Sequence, residues 1–459
     1  MKLEEIKTVY FVGVGGIGMS ALARYFMAKG KRVAGYDRTP SELTHCLEQE
    51  GAHIHYEDNV ERIPEAFKHQ DTTLVIYTPA IPNEHTELSY FRTQGFEIQK
   101  RAQVLGLITQ SSKGLCVAGT HGKTTTSTMA AHLLHQSHVG CNAFLGGVSQ
   151  NYHTNLLLSD VSPYTVIEAD EFDRSFHWLT PWMSVITATD PDHLDIYGTP
   201  KAYLESFAHY SSLIQPGGVL ILHEDLAMQP RVQEGVTIYS YSRQSGDFHA
   251  ENIHIGQGEI YFDFVAPDTR INQVQLGVPM SINIDNGIAA MALAHLCGAT
   301  DEEIREGMRS FQGVERRFDF KLKSDKAVLL SDYAHHPAEI AQSIRSIREL
   351  YQGRKITVLF QPHLYSRTHD FYHEFAASLS LADEVVLTEI YPAREQPIPG
   401  VTSQLIYDEL QPGVERTLTS KNDILSLLQS KPGLDVVVVL GAGDLIDYIP
   451  QIKELLVNR

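Results

Sequence analysis

Short apolar runs alternate with amphipathic segments along almost the whole chain. TVYFVGVG, KRVAGYD and TLVIYTPA have the composition of buried strands, and IGMSALARYFMAKG, between the first two, has the pattern of a helix that begins at the glycines. Strands that alternate with helices in this way are typical of α/β units built on parallel sheets. We therefore predict an α/β fold.

The same pattern begins again twice further along the chain. GLCVAG followed by KTTTSTMAAHLLHQ opens a second series, and AVLLSDYAHH, KITVLFQPH, DEVVLTEIYP and DVVVVLGAG form a third. Residues 99–108 are predicted to be a connection, and the alternating segments over about 217–276 predict an antiparallel insert. We thus predict three α/β domains with parallel sheets, covering residues 1–108, 109–314 and 315–459.

Composition narrows the class of protein. The 459 residues include 37 Lys and Arg against 56 Asp and Glu, a formal net charge of −19. That balance argues against binding to nucleic acid or to an anionic membrane, but it leaves room for a small anionic ligand in a locally positive cleft. The four cysteines are far apart, which argues against a zinc site or a disulfide framework. Without a visible signal peptide or an apolar run of about 20 residues, we expect a cytoplasmic protein.

The first glycine loop has the spacing of a phosphate-binding turn. Gly13, Gly15 and Gly18 spell G-x-G-x-x-G between a strand and a helix, and Asp37 ends the next strand. Such a loop brings backbone N–H groups to a diphosphate, with the acidic residue on a ribose hydroxyl. The spacing alone leaves open whether the ligand is NAD or another nucleotide diphosphate, or whether the glycines only let the helix pack on the strand.

A second loop, Gly119–Thr125, has the sequence GTHGKTT. It is not a strict Walker A motif, because Val117 stands where the first glycine would be. A lysine at a helix N-terminus is unfavourable with the helix dipole unless an anion binds there, which favours a phosphate site over an ordinary turn.

Polar residues follow predicted strands of the second and third series. In the second series they form two mostly acidic groups, one after each of two strands. The first group is Glu168, Asp170, Glu171 and Asp173, and the second is Asp190, Asp192, His193 and Asp195. Because the ends of parallel strands lie at the same edge of a sheet as the loop Gly119–Thr125, these residues could hold Mg²⁺ beside a triphosphate. Alternatively they could lie in solvated loops, with Asp173 and Asp195 capping helices. No motif for a catalytic nucleophile stands out.

Eight segments in a fixed order resemble the Mur ligase family over essentially the whole chain. They are FVGVGGIGMSALA, AGTHGKTTT, EADEFDRSF, DPDHLDIYG, GVERRF, DYAHHPAEI, LFQPHLYSRTHDF and EIYPAREQPIPG. The resemblance implies a Rossmann-like N-terminal domain, a central P-loop-type ATPase domain and a Rossmann-like C-terminal domain. The segments are most similar to members that join L-alanine to the carboxylate of UDP-N-acetylmuramate, in peptidoglycan precursor synthesis, with ATP and Mg²⁺. The first loop would then bind UDP and not NAD.

The resemblance also implies roles for individual residues. The ATP-binding set is Gly119, Thr120, His121, Gly122, Lys123, Thr124, Thr125, Asn283, Asn286, Arg316 and Arg317. The UDP-sugar set is Gly15, Gly16, Ile17, Gly18, Asp37, Thr78, Ala80 and His121. The amino-acid set is Tyr333, His335 and Arg367, and the metal ligands are Thr124, Glu168 and His193. The residues expected to act in catalysis are Lys123, Glu168, His193, Arg316 and Asp332.

Two positions depart from the family pattern. Ile282 precedes Asn283 where a His-Asn pair is usual, and Leu364 stands where arginine is common. The alternatives are a murein tripeptide recycling ligase of the same family, an NAD-dependent oxidoreductase and a non-catalytic nucleotide-binding regulator. We expect a monomer or a homodimer.

Overall fold

A computed structural model of the chain describes residues 5–82, 84–393 and 395–459, apart from the side chain of Asp195. By their contacts these residues divide into two compact units. The first comprises the described residues up to Glu251 together with Asp263–Val274 and Asp285–Phe311. The second comprises Asn252–Phe262, Gln275–Ile284 and the described residues from Gln312 onward.

The first unit begins with a five-stranded parallel sheet in the order β3-β2-β1-β4-β5. Its strands are β1 (Thr8–Val12), β2 (Arg32–Tyr36), β3 (His53–His55), β4 (Thr73–Tyr77) and β5 (Glu97–Lys100). Its helices are α1 (Ile17–Ala28), α2 (Glu42–Gln49), α3 (Thr86–Thr93) and α4 (Arg101–Gln110). Residues 99–108, predicted as a connection, therefore form the end of a strand and most of a helix. That prediction was wrong because the strand is short and only half-buried, so its apolar signal is weak.

A seven-stranded sheet follows in the order β12-β11-β10-β6-β9-β7-β8. Its strands are β6 (Lys113–Ala118), β7 (Asn142–Ser149), β8 (Thr154–Leu157), β9 (Tyr164–Ala169), β10 (Pro181–Ile186), β11 (Val219–His223) and β12 (Thr237–Tyr241). The helices are α5 (Lys123–His135), α6 (Leu194–Tyr197), α7 (Pro200–Ser211), α8 (Ile282–Leu296) and α9 (Asp301–Ser310). Only β7 and β8 pair antiparallel in this sheet.

The predicted antiparallel insert over 217–276 is wrong for its first two strands. β11 and β12 extend the parallel sheet. Helix α7 returns the chain from β10 to β11 in a βαβ crossover, and the helix-free connection over 224–236 leads from β11 to β12. The remaining part forms a separate sheet of β13 (His249–Gly256), β14 (Glu259–Val265) and β15 (Arg270–Gln275).

The second unit contains a six-stranded sheet in the order β16-β17-β21-β18-β19-β20, in which only β16 is antiparallel to its neighbour. The strands are β16 (Asp319–Lys323), β17 (Val328–Asp332), β18 (Ile356–Phe360), β19 (Glu384–Leu387), β20 (Glu415–Leu418) and β21 (Val436–Leu440). The helices are α10 (Pro337–Leu350), α11 (Tyr365–Leu379), α12 (Gln404–Glu409), α13 (Ile424–Ser430) and α14 (Ile449–Val457).

The three large sheets confirm the α/β class with parallel sheets. Central strands such as β1, β18 and β21 are buried along their whole length, as expected where helices cover both faces. Each large sheet lies within one of the three predicted sequence ranges, whose boundaries remain predictions. Within the described residues, no helix combines the length and the apolar character needed to cross a membrane.

Candidate active site

The first glycine loop connects β1 to α1, and the acidic residue assigned to it binds its backbone. Gly13 has a φ of +91°, and its N–H donates to the carbonyl of Tyr36 at 2.8 Å. The N–H of Gly15 donates to Oδ2 of Asp37 at 2.7 Å. The carboxylate of Asp37, which was expected to bind a ribose hydroxyl, thus stabilises the loop and accepts a hydrogen bond from one of the loop's own N–H groups. Spacing could not reveal this contact, because it depends on how closely β2 approaches the loop.

A cavity of ≈ 250 Å³ opens beside this loop, within the first unit. Four members of the expected UDP-sugar set line it: Gly16, Ile17, Gly18 and Thr78. Its remaining lining is Met19, Arg101, Leu105, Phe144, Leu145, Gly146, Ile167, Glu168 and Asp170. Gly15, Asp37, Ala80 and His121 are not among the described residues that line the cavity.

The charges in this cavity come from two segments. Arg101, the first residue of α4, has its Nη2 atom 3.4 Å from Oδ2 of Asp170. A Cβ atom on Gly18 would lie 2.8 Å from Nη1 of Arg101, so the arginine packs against the glycine loop. The cavity therefore presents a guanidinium and the N-terminus of a helix, which suit an anion, together with the carboxylates of Glu168 and Asp170, which suit a cation.

The second loop lies between β6 and α5 and has the geometry of a phosphate cradle. Gly119 and Gly122 have φ angles of +136° and +80°, which residues with side chains rarely adopt. The N–H of Thr120 donates to the carbonyl of Ala188 at 3.0 Å, and its hydroxyl donates to the carbonyl of Asp190 at 2.8 Å. Thr124 is buried on the first turn of α5, and His121 is exposed. The end of β10 thus supports the loop from one side.

Lys123 points back to its own loop. Its Nζ atom donates to the carbonyl of Gly119 at 2.6 Å and lies 2.7 Å from Oε2 of Glu171. Glu171 is only 2% exposed, and this burial raises the pKa of its carboxyl group while Lys123 acts in the opposite direction. Glu171 belongs to the acidic cluster seen in the sequence, but only the tertiary structure selects it as the partner of Lys123.

The two expected carboxylate and imidazole metal ligands have different immediate neighbours. Glu168 is the last residue but one of β9 and lines the cavity, where a side chain on Gly146 would collide with its carboxylate. His193 has a φ of +50°, its ring packs edge-on against Phe172 at 5.2 Å, and Nε2 lies 3.9 Å from Oε1 of Glu171. Among the described residues, no three His, Cys, Asp or Glu side chains converge on one point.

The oxygen donors among the expected ligands, Thr124 and Glu168, suit Mg²⁺ more than a transition metal. Mg²⁺ takes hard oxygen ligands and is commonly held by one or two carboxylates together with water and substrate phosphates. A threonine hydroxyl on the phosphate loop and carboxylates at the end of the neighbouring strand β9 are ligands of that kind.

The two asparagines expected near adenine lie near the start of α8, where the division between the two units crosses the helix. Asn286 is in the first unit, where its Oδ1 accepts a hydrogen bond from Thr126 at 3.1 Å and would lie 2.6 Å from a Cβ atom on Gly122. Asn283 is in the second unit and donates from Nδ2 to the carbonyl of Val278 at 3.2 Å. Asn286 thus contacts the phosphate loop itself.

In the second unit, Arg316, Asp332 and Tyr333 lie together near the carboxyl end of β17. The guanidinium of Arg316 stacks over the ring of Tyr333 at 4.6 Å, and the N–H of Tyr333 donates to the carbonyl of Arg316 at 2.6 Å. Burial raises the pKa of Asp332 to about 6, although its carboxylate accepts a hydrogen bond from Ser343. Arg317 is exposed.

A second group in this unit surrounds Arg367. The rings of His335 and His363 are 6.0 Å apart, and His363 stacks on Tyr391 at 5.8 Å. Arg367 Nη1 lies 3.5 Å from Nδ1 of His363. Burial lowers the pKa of both imidazoles, and Arg367 acts in the same direction. The guanidinium can bind the carboxylate of a small amino acid, and a nitrogen of a neutral imidazole beside it can accept a hydrogen bond from the ammonium group of that amino acid.

The sequence could have indicated some of the residues absent from the expected sets. His363 follows a strand in FQPH, which is a usable signal, whereas Arg101 and Tyr391 carry no local signal. Their importance comes from the packing of α4 against the first loop and from the close approach of residue 391 to His363.

Comparison with known proteins agrees with this arrangement. Residues 8–113 match the model described as Mur ligase family, catalytic domain; residues 117–294 match Mur ligase middle domain; and residues 316–443 match Mur ligase, glutamate ligase domain. The chain is 67% identical over 456 residues to the UDP-N-acetylmuramate–L-alanine ligase of Phocaeicola vulgatus, covering 99% of each protein. It is 60% identical over 460 residues to that of Parabacteroides distasonis, covering 100% of this chain and 99% of the relative.

Solved structures show the same relationship. The UDP-N-acetylmuramate-alanine ligase of Thermotoga maritima superposes with a TM-score of 0.81 at 27% identity, covering 98% of this chain and 100% of that one. A murein peptide ligase from Psychrobacter arcticus, at 22% identity and a TM-score of 0.65, covers 99% of both chains and shares the fold. With three family domains matched in order and close relatives over its whole length, the chain belongs to the Mur ligase family.

Proposed function

We propose that this protein joins L-alanine to the carboxylate of UDP-N-acetylmuramate at the expense of ATP, in peptidoglycan precursor synthesis. The names of relatives up to 67% identical support this activity. The observation that carries the proposal is that the segment at the end of β9 reaches both glycine loops. Glu168 lines the cavity beside the first loop, and Glu171, three residues further on, is paired with Lys123 of the loop Gly119–Thr125. A carboxylate substrate in the cavity would therefore lie close to the phosphate loop.

The proposed reaction has two steps. The γ-phosphoryl group of ATP is transferred to the substrate carboxylate, which gives an acyl phosphate and ADP. The amine of L-alanine then attacks the acyl carbon, loses a proton and expels inorganic phosphate. This chemistry requires alignment and charge stabilisation and no protein nucleophile, in keeping with a phosphate cradle and a cationic loop residue.

Each part of the chain would have its own role. The N–H groups of residues 119–125 and the ammonium of Lys123 would stabilise the transferred phosphate, and Asn286 would support the loop. Mg²⁺, held by Thr124, Glu168 and His193, would neutralise phosphate charge. In the second unit, Arg367 would bind the carboxylate of L-alanine between Tyr333 and His335.

The other assignments in the second unit are also proposals. Arg316 and Arg317 would contact phosphate groups, Asp332 would face the nucleotide, and Asn283 would lie near adenine. The protein would work in the cytoplasm as a monomer or a homodimer, with no nucleic-acid or membrane partner.

The decisive experiment is a phosphate-release assay on the purified chain. With ATP, Mg²⁺ and UDP-N-acetylmuramate, we expect phosphate release to depend on added L-alanine and to stop in Lys123→Met. Lys326→Met is the matched control, because Lys326 is exposed in the second unit and should leave turnover unchanged. Release that depends on the murein tripeptide would identify a recycling ligase, and NAD reduction or NADH oxidation without phosphate release would identify an oxidoreductase.

A further inference from the structure

The ammonium group of Lys123 already has partners without a nucleotide. Besides the carbonyl of Gly119, it contacts the carbonyl of Thr120 at 3.4 Å and the carboxylate of Glu171 at 2.7 Å. The Lys123 side chain is 13% exposed and that of Glu171 is 2% exposed. The pair is therefore largely shielded from water, where ionic contacts are strong and costly to break.

Glu171 has few other ways to stabilise its charge. Among the ion pairs of the described residues, Lys123 is its only lysine or arginine partner, and His193 lies further away at 3.9 Å. The hydroxyl of Tyr197 donates to the backbone carbonyl of Glu171 at 2.5 Å, which fixes the backbone at this position but leaves the carboxylate to Lys123.

We propose that Glu171 is a positioning residue that holds Lys123 in the ligand-free protein and competes with the phosphates of ATP for its ammonium group. This inference rests on the proposed function, since it requires that ATP binds at residues 119–125. When a phosphate takes Lys123, the buried carboxylate loses the only lysine or arginine that it pairs with among the described residues. The cost of that exchange is subtracted from the binding free energy of ATP, so Glu171 sets the ATP affinity below what the loop alone would give.

The test is the dissociation constant for ATP, measured by calorimetry on the full chain. We expect Glu171→Gln, which keeps the shape of the side chain, to bind ATP about tenfold more tightly than wild type. Asp173→Asn is the matched control, because it removes the same charge two residues away on a side chain that pairs with Lys100 at 2.9 Å. We expect it to change the affinity by less than about twofold.

A double-mutant cycle separates competition for Lys123 from simple loss of negative charge near ATP. In a Lys123→Met background, Glu171→Gln should no longer increase the affinity, since there is no ammonium left to compete for. The same gain in both backgrounds would overturn the inference in favour of general electrostatics.

A second variant keeps the test available if Glu171→Gln folds poorly. Glu171→Asp has a shorter side chain and should give an intermediate gain in ATP affinity. Equal or weaker ATP binding in both folded variants would overturn the inference and leave the proposed function intact. Failure of wild type to bind ATP at all would contradict the proposed function, and the inference would fall with it.

Discussion

At the scale of single residues, side chains near the two glycine loops either hydrogen-bond to the loop backbone or pair with one another. Asp37 accepts a hydrogen bond from Gly15, and Lys123 is held by Glu171. Residue types at the right spacing therefore identified the segments, but the detailed partner of each side chain follows from close packing of segments distant in sequence.

The contact between Asp37 and Gly15 predicts how substitutions at position 37 act. Asp37→Ala should raise the KM for UDP-N-acetylmuramate by about tenfold, since the loop loses the acceptor that shapes it. Asp37→Asn keeps an acceptor oxygen and should remain within about twofold of wild type. Steady-state kinetics on both variants, with the exposed Asp71→Ala as control, make the comparison. A loss in Asp37→Asn as large as in Asp37→Ala would favour a direct role of the charge in ligand binding.

At the scale of elements, the start of α5 depends on one left-handed residue. Gly122 caps the helix with a φ of +80°, and Asn286 of α8 packs where a Cβ atom would be. The phosphate loop thus has its shape set by its own glycines and by a helix from a distant part of the sequence.

Comparing two glycines isolates the role of this packing. Gly122→Ala should lower the free energy of unfolding by about 1–2 kcal/mol from backbone strain alone and weaken ATP binding by about tenfold or more, since Asn286 must move. Gly30→Ala has a similar φ of +72° with open space around the position, and should likewise lose about 1–2 kcal/mol with unchanged ATP binding. Chemical denaturation and calorimetry provide both values. Equal ATP affinities in the two variants would contradict the role of Asn286.

Helix α3 introduces a fully buried carboxylate into the first sheet. Glu87 is 0% exposed and accepts hydrogen bonds from the hydroxyl of Tyr10 at 2.7 Å and from the N–H of Asn59 at 3.2 Å. Burial raises the pKa of Glu87 to about 7, above its ordinary value of 4.5. The folded state thus binds this proton more tightly than the unfolded chain does.

The sign of the pH effect follows from this shift. The contribution of Glu87 to stability is present below about pH 4.5 and is lost as the pH rises to 7. Between pH 5 and 8.5, wild type should lose about 2–3 kcal/mol of unfolding free energy relative to Glu87→Gln. The exposed Glu61→Gln should show no such trend. A constant difference between wild type and Glu87→Gln across this range would show that Glu87 does not titrate there.

At the scale of the whole molecule, the net charge of −19 is opposed locally in each of the two units. In the first unit, positive potential comes from the helix N-termini at two glycine loops and from Lys123 and Arg101; in the second unit it comes from Arg367. The remaining acidity spreads over the molecule, where it should repel itself.

This repulsion predicts a salt effect on stability. At pH 8, raising KCl from low to moderate concentration should increase the melting temperature by about 2–4 °C by screening. At pH 5.5 the effect should be smaller, because protonation of the exposed histidines among the 22 in the chain offsets much of the acidic excess. Thermal unfolding at both pH values is the measurement, and an equal salt effect at both would rule out net charge as its cause.

The sequence by itself determined the α/β class, the two glycine loops and the family, because hydrophobic periodicity and short phosphate-binding motifs are local in the chain. Tertiary structure alone decided the pairing of β11 with β12 and the cavity between the first loop and β9. It also decided that Glu171, and not one of its acidic neighbours, pairs with Lys123. Those features depend on which strands become neighbours and how closely helices approach loops. Contacts of that kind join residues far apart in sequence, and no local pattern encodes them.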